Sequence, residues 1–199
     1  MSLLLQYKAT MGDTVVDFLS DEFLGVWYCL FAYDEWFQRK NGYNVQAEYR
    51  LDENHKEKKQ IIVINSYIEP GNRYSSAVHH VKQAIAKVIG PNHAQVSFDP
   101  LHLFYGHYII KWASDGVMIV TGKNAWNHAW ILARNREAEL GPVFRFINDH
   151  RKEFNLDRLR PMPYVTDNIL AIIQPKIKHE VYNANKEQEQ PLSYQQQIV

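Results

Sequence analysis

Apolar and polar residues alternate strictly from Tyr43 to Leu51. Tyr43, Val45, Ala47, Tyr49 and Leu51 fall on one side, and Asn44, Gln46, Glu48 and Arg50 on the other. A period of two predicts a strand with one buried face. Upstream, Phe23 to Tyr33 is apolar at every position, a pattern shared by a strand buried on both faces and a buried helix. Asn41-Gly42 separates Trp36–Lys40 from Tyr43–Leu51, and Asn-Gly readily takes the positive φ angles of a tight hairpin, which favours strands on both sides. Asp52 to Lys59 predicts a charged, solvated loop. Gln60 to Ile68 is a β-branched run that should return antiparallel to its predecessor, closed by Pro70-Gly71-Asn72. Ala94 to Phe98 and Tyr105 to Trp112 predict further strands, and Ser114-Asp115-Gly116 a tight link to Val117–Thr121.

Other segments read differently. Val78, Val81, Ile85, Val88 and Ile89 fall at helical spacing, and Ala125 to Leu140 is helical on propensity. Glu137 to Phe154 predicts a helix with Val143, Phe144, Ile147 and Phe154 on one side and Pro142 near its start, where a missing N–H costs little. Beyond Pro161 and Pro163 the chain ends in a Gln- and Asn-rich stretch, Asn183 to Gln197, expected to be mobile.

Charge and cysteine content then exclude several functions. Lys and Arg number 22 against 22 Asp and Glu, so no cationic surplus exists to neutralise phosphates, and no nucleic-acid partner is expected. Hydrophobic residues make up 46% of the chain, enough for a sizeable core. Cys29 is the only cysteine, so no internal disulfide can form. It lies in the most apolar run, where a thiol is buried and unreactive. Neighbouring His79 and His80 would point to opposite faces of a strand, and neither they nor His102 and His107 have a metal-motif partner. No metal, cofactor or catalytic residue is expected. The Leu3-Leu4-Leu5 run is too short for a signal peptide, and no segment reaches the roughly 18 apolar residues of a membrane span. A soluble chain inside the cell is the expectation.

Four motifs carry a family resemblance. Phe23-Leu24-Gly25-Val26-Trp27-Tyr28 resembles the first signature of the lipocalins, in particular the group of bacterial lipocalin and apolipoprotein D. Val45 to Leu51 resembles that group's second strand. Phe104-Tyr105-Gly106-His107-Tyr108-Ile109-Ile110 resembles the second signature, with Asp115 in the turn that follows. Trp130-Ile131-Leu132-Ala133-Arg134 resembles the third. The resemblance implies a mainly β fold over residues 15–160: an eight-stranded antiparallel up-and-down barrel with a C-terminal helix packed outside. Residues 1–14 and 161–199 would be extensions. It assigns Tyr74–Ile89, Ala94–Phe98 and Asn127–Arg134 to the fourth, fifth and eighth strands, against the helical readings of the first and last. It also implies structural roles for Gly25, Trp27 and Arg134, with the guanidinium lying over the indole at the closed end.

In such a barrel, alternation would turn Cys29, Phe31, Tyr33, Ala47, Tyr49, Val63 and Asn65 inward. Ala84, Ala86, Val88, Val96, Phe98, Tyr108, Ile110 and Trp112 would follow on later strands. These favour an apolar cup for a small hydrophobic ligand such as a fatty acid or lysophospholipid, carried without catalysis, with a core packed solid by the same side chains as the alternative. Two other readings stay open: a lipocalin-fold isomerase using Cys29 or an interior carboxylate, and a structural subunit whose extensions contact a partner. For the latter, residues 1–14 and 164–199, including the apolar Ile169–Ile173, are the expected contact surfaces. Association with a membrane surface is a further expected partnership.

Overall fold

A computed structural model of the chain describes residues 15–33, 42–71, 76–99, 101 and 103–164. Trp36–Lys40 with Asn41, the turn residue Asn72, Tyr74, residues 1–14 and residues 165–199, among them Ile169–Ile173 and Asn183–Gln197, lie outside the described residues.

Eight strands follow one another around a closed sheet. They are β1 (Gly25–Tyr33), β2 (Tyr43–Leu51), β3 (Gln60–Glu69), β4 (Val78–Gly90), β5 (His93–Ser97), β6 (Gly106–Ser114), β7 (Val117–Thr121) and β8 (Ala129–Ala133). Each pairs antiparallel with the next, and β1 pairs with both β8 and β2, which closes the barrel. Closure removes the open edges that a two-faced apolar run such as Gln60–Ile68 would otherwise present. The helical spacing in Val78–Ile89 yields to a strand because β3 supplies an unbroken ladder from Gln60↔Lys87 to Glu69↔Val78. The propensity for helix in Ala125–Leu140 yields in the same way to β8, held between β7 and β1.

Asp115 and Gly116 both adopt positive φ, +49° and +71°, the primed turn geometry that joins β6 to β7. Asp52–Lys59 differs from expectation: Glu53–Lys58 forms a short 3-10 helix, and Asp52 is buried. The Asp52 carboxylate accepts the Asn54 N–H at 3.2 Å, so the first acidic group turns inward to order the segment.

Among the described residues one α-helix, α1 (Gly141–Asp149), packs outside the barrel with Pro142 in its first turn. It is shorter than the expected Glu137–Phe154. Val143 and Ile147 face β7, and Phe154 is buried beyond the helix end. Phe144 departs from the expected face: it is exposed, its ring edge-on to Phe31 at 5.3 Å. The helix explains why β7 is buried at every position, since its inner face meets the barrel core and its outer face meets Val143 and Ile147. A ninth short strand, β9 (Leu159–Pro161), pairs with the upper part of β1. The Met162 N–H then reaches the Leu30 carbonyl, and the Asn44 N–H reaches the Pro163 carbonyl, at 2.8 and 3.0 Å. The C-terminal segment thus fills the gap where β1 and β2 diverge.

Candidate ligand site

The barrel interior and the space under α1 are two separate cores. Inside are Cys29, Ala47, Tyr49, Val63, Ala84, Ala86 and Ile110, with Val88, Val96 and Tyr108 partly buried against them. Asn65 shares their face, opposite Ala47 and Lys82 in register. Phe31, Tyr33 and Trp112 belong to the outer core under the helix, which corrects the expectation that they turn inward. Two β-bulges are responsible. One lies between Cys29 and Phe31 and the other between Ile110 and Trp112. Each adds a residue that reverses the alternation beyond it, so Ala32 and Ala113 face the interior in place of the larger neighbours. Phe98 lies past the end of β5, outside the buried interior cluster, with 45% of its surface exposed.

At the closed end an aromatic floor fills the barrel. Phe18 and Phe23 meet edge-on with ring centroids 4.7 Å apart, and Phe23 lies 4.7 Å from Tyr49. Phe18 and Phe23 precede the first strand, and no periodicity marks them as interior residues. Above the floor the Tyr49 and Tyr108 hydroxyls are 2.5 Å apart. Burial raises both phenols above their ordinary value, so both are neutral; their mutual hydrogen bond lowers Tyr49, while Tyr108 is raised further by its partner. One proton is spent between them and one O–H remains to be donated.

Higher up, the wall carries small side chains, among them Cys29, Ala32, Ala47 and Ala84. Toward the open end the inward positions turn polar: Tyr67 stacks on His80 at 4.7 Å, and His80 Nε2 lies 2.8 Å from Glu69 Oε2. Burial drives the Cys29 thiol up to about 12, so it is protonated and a poor nucleophile at neutral pH. Among the described residues no group of three or more His, Cys, Asp or Glu is placed to hold a metal ion.

Trp27 and Arg134 close the base. The guanidinium carbon lies 4.1 Å from the indole centroid. Clefts among the described residues lie outside the barrel. One, about 860 Å³ and open, runs between the β7–β8 connection and the end of α1, lined by Lys111, Lys123, Trp126 and Lys152 among others. The second, about 240 Å³, sits beside Asp115, Arg134 and Pro142.

An antiparallel eight-stranded barrel, sealed at one end by an Arg–Trp pair and flanked by one helix, defines the lipocalin fold. The chain belongs to the lipocalin-like domain family, whose model matches residues 17–153. Solved structures with the same fold include insecticyanin from the tobacco hornworm Manduca sexta, at 15% identity and TM-score 0.56, covering 79% of this chain and 87% of that one. Lobster apocrustacyanin A1 aligns at 14% identity and TM-score 0.55, covering 74% and 81%. Japanin from Rhipicephalus appendiculatus, in its cholesterol-bound structure, aligns at 13% identity and TM-score 0.50, covering 71% and 93%. No curated protein sequence matches the chain.

Proposed function

We propose that this protein is a non-catalytic carrier of a small hydrophobic ligand, a fatty acid, lysophospholipid or similar amphiphile, held inside the barrel. The observation that carries this reading is the inner wall: small apolar side chains stand above an aromatic floor, with the Tyr49–Tyr108 pair as polar anchor and Asn65, Tyr67 and His80 toward the mouth. An acyl chain of about fifteen methylenes gains on the order of 12 kcal/mol gross on burial at ~0.8 per CH₂. Ordering costs consume part of that and leave micromolar to nanomolar affinity within reach. The cholesterol in the japanin structure supports the ligand class, and the Gly25-x-Trp27 signature supports placement in the bacterial lipocalin and apolipoprotein D group. The barrel with its helix, residues 15–160, is the unit that acts, with 1–14 and 161–199 as extensions. Native mass spectrometry of the purified protein, followed by organic extraction, tests the reading. One lipid or pigment released per barrel is expected. An empty protein that also refuses a fluorescent fatty acid would overturn it.

A second reading, a subunit of a larger assembly, is favoured by one observation. Val81 and Ile89 on the outer face of β4 are each more than half exposed, beside the outward residues Ile62 and Ile85, which pair in register. A stable complex that copurifies with the chain and is lost on Val81→Lys would select this reading.

A further inference from the structure

Up-and-down order puts the β5–β6 and β7–β8 connections at the same end of the barrel, opposite Trp27 and Arg134. On the β5–β6 connection Leu101, Leu103 and Phe104 are 74%, 68% and 77% exposed. The local hydrogen bonding orders this display: the Asp99 carboxylate accepts the Leu103 N–H at 2.8 Å and the Leu101 N–H at 3.4 Å. Polar backbone groups are gathered onto Asp99, and the large side chains are left facing solvent. Across β6 and β7, Trp126 is 46% exposed and shares the open cleft with Lys111, Lys123 and Lys152. The one acid lining that cleft, Glu153, bonds Lys111 at 3.3 Å, so the local charge is cationic by three to one.

We propose that the open end of the barrel docks on an anionic lipid surface, with Leu101, Leu103 and Phe104 entering the acyl boundary, Trp126 at headgroup depth, and Lys123 and Lys152 against the headgroups. Each part answers a separate demand of that environment. Apolar side chains on a protruding loop gain by leaving water, indole prefers the interface, and lysine is drawn to anionic headgroups while its methylenes stay in apolar contact. The cores of protein–protein interfaces are instead depleted in lysine, so lysines flanking the exposed aromatic favour lipid over a protein partner. The inference goes beyond ligand carriage: it concerns the outside of the mouth, whatever the barrel holds.

The test is flotation of the full chain with vesicles of phosphatidylcholine plus phosphatidylglycerol, and with phosphatidylcholine alone. The wild type should float with the mixed vesicles, and Leu103→Asp/Phe104→Asp should weaken binding about a hundredfold with its melting temperature unchanged. Lys123→Glu/Lys152→Glu should lose the preference for the anionic vesicles. Brominated lipids should quench the wild-type tryptophan emission, and Trp126→Phe should remove that quenching. Absence of wild-type flotation, or equal flotation of the Leu103/Phe104 variant, overturns the proposal. A dimer that this variant converts to a monomer, without vesicle binding, assigns the surface to a second copy and overturns it as well. Uptake of a fluorescent fatty acid without vesicles is read separately, so failure of docking is distinguishable from failure of carriage.

Discussion

Arg134 is held over Trp27 by more than the face of its ring. While the guanidinium carbon sits 4.1 Å from the indole centroid, Nη1 donates to the Val26 carbonyl at 2.9 Å and Nη2 to that of Leu24 at 2.6 Å. Nη2 also bonds the Glu22 carbonyl. The Trp27 indole N–H in turn donates to the Phe23 carbonyl at 2.8 Å. The last strand is thereby tied to the chain that enters the first.

Arg134→Ala removes the cation–π contact and leaves three carbonyls without their donor. Such a contact contributes about 0.5–2 kcal/mol and a charged hydrogen bond about 1.5–3. The expected outcome in chemical denaturation is a loss of roughly 3 kcal/mol, with Arg134→Lys intermediate because the fork is gone. Ligand uptake measured where both variants are folded should change little. A larger effect on affinity than on stability would remove the structural assignment.

Gly25→Ala should destabilise by about 1–3 kcal/mol. The residue holds φ +93°, and an added Cβ would sit 3.3 Å from Arg134 Nη1. The substitution strains the backbone and pushes the cation at once. Thermal unfolding of the single variants and of Gly25→Ala/Arg134→Ala checks this: the double variant should lose less than the two singles summed, because the clash has no partner once Arg134 is truncated.

Rising pH should destabilise the protein along a slope that steepens as successive groups couple. The Cys29 thiol is raised from 9.0 to about 12 by burial, and the Tyr49 and Tyr108 phenols are raised above 10.0. Above each ordinary value the unfolded chain releases a proton that the folded chain retains, so the folded state binds more protons and stability falls as pH rises. The stabilisation is complete below pH 9. Loss begins between pH 9 and 10 from Cys29 and steepens above 10 as the tyrosines join. In denaturation curves across pH 8 to 12, Cys29→Ala should delay the onset to near 10. An unchanged onset in that variant would show that the thiol is not the first group to couple.

Interior and outer positions should separate in their effects. Ala47→Phe adds bulk above the floor and should abolish uptake of a fluorescent fatty acid, with stability lowered by about 1–3 kcal/mol. Trp112→Ala, at a partly buried site under the helix beside Phe146 at a centroid distance of 6.3 Å, should cost about 1–3 kcal/mol and leave uptake intact in the folded fraction. Equal loss of uptake in both variants would contradict the division into two cores.

Much of this is legible in the sequence. The alternation of Tyr43 to Leu51 requires a half-buried strand. Positive φ at a tight turn is easily met by Asp115-Gly116. Both are local properties, set by side-chain period and by which backbone angles a residue tolerates. The closed end, with Gly25, Trp27 and Arg134, is implied by the resemblance of their motifs to the lipocalin signatures. What tertiary structure decided is the side of the wall on which Phe31, Tyr33 and Trp112 lie. Strict alternation from Cys29 and from Ile110 turns these side chains inward, and a bulge of one residue reverses that parity with no change in composition. The partner that imposes the first bulge, β8, comes from a distant part of the chain, and the second forms against β7, the next strand of the same hairpin. Val78–Gly90 is a strand for the same reason: its residues suit either period, and the choice falls to the flanking ladders of β3 and β5, which the segment cannot specify alone.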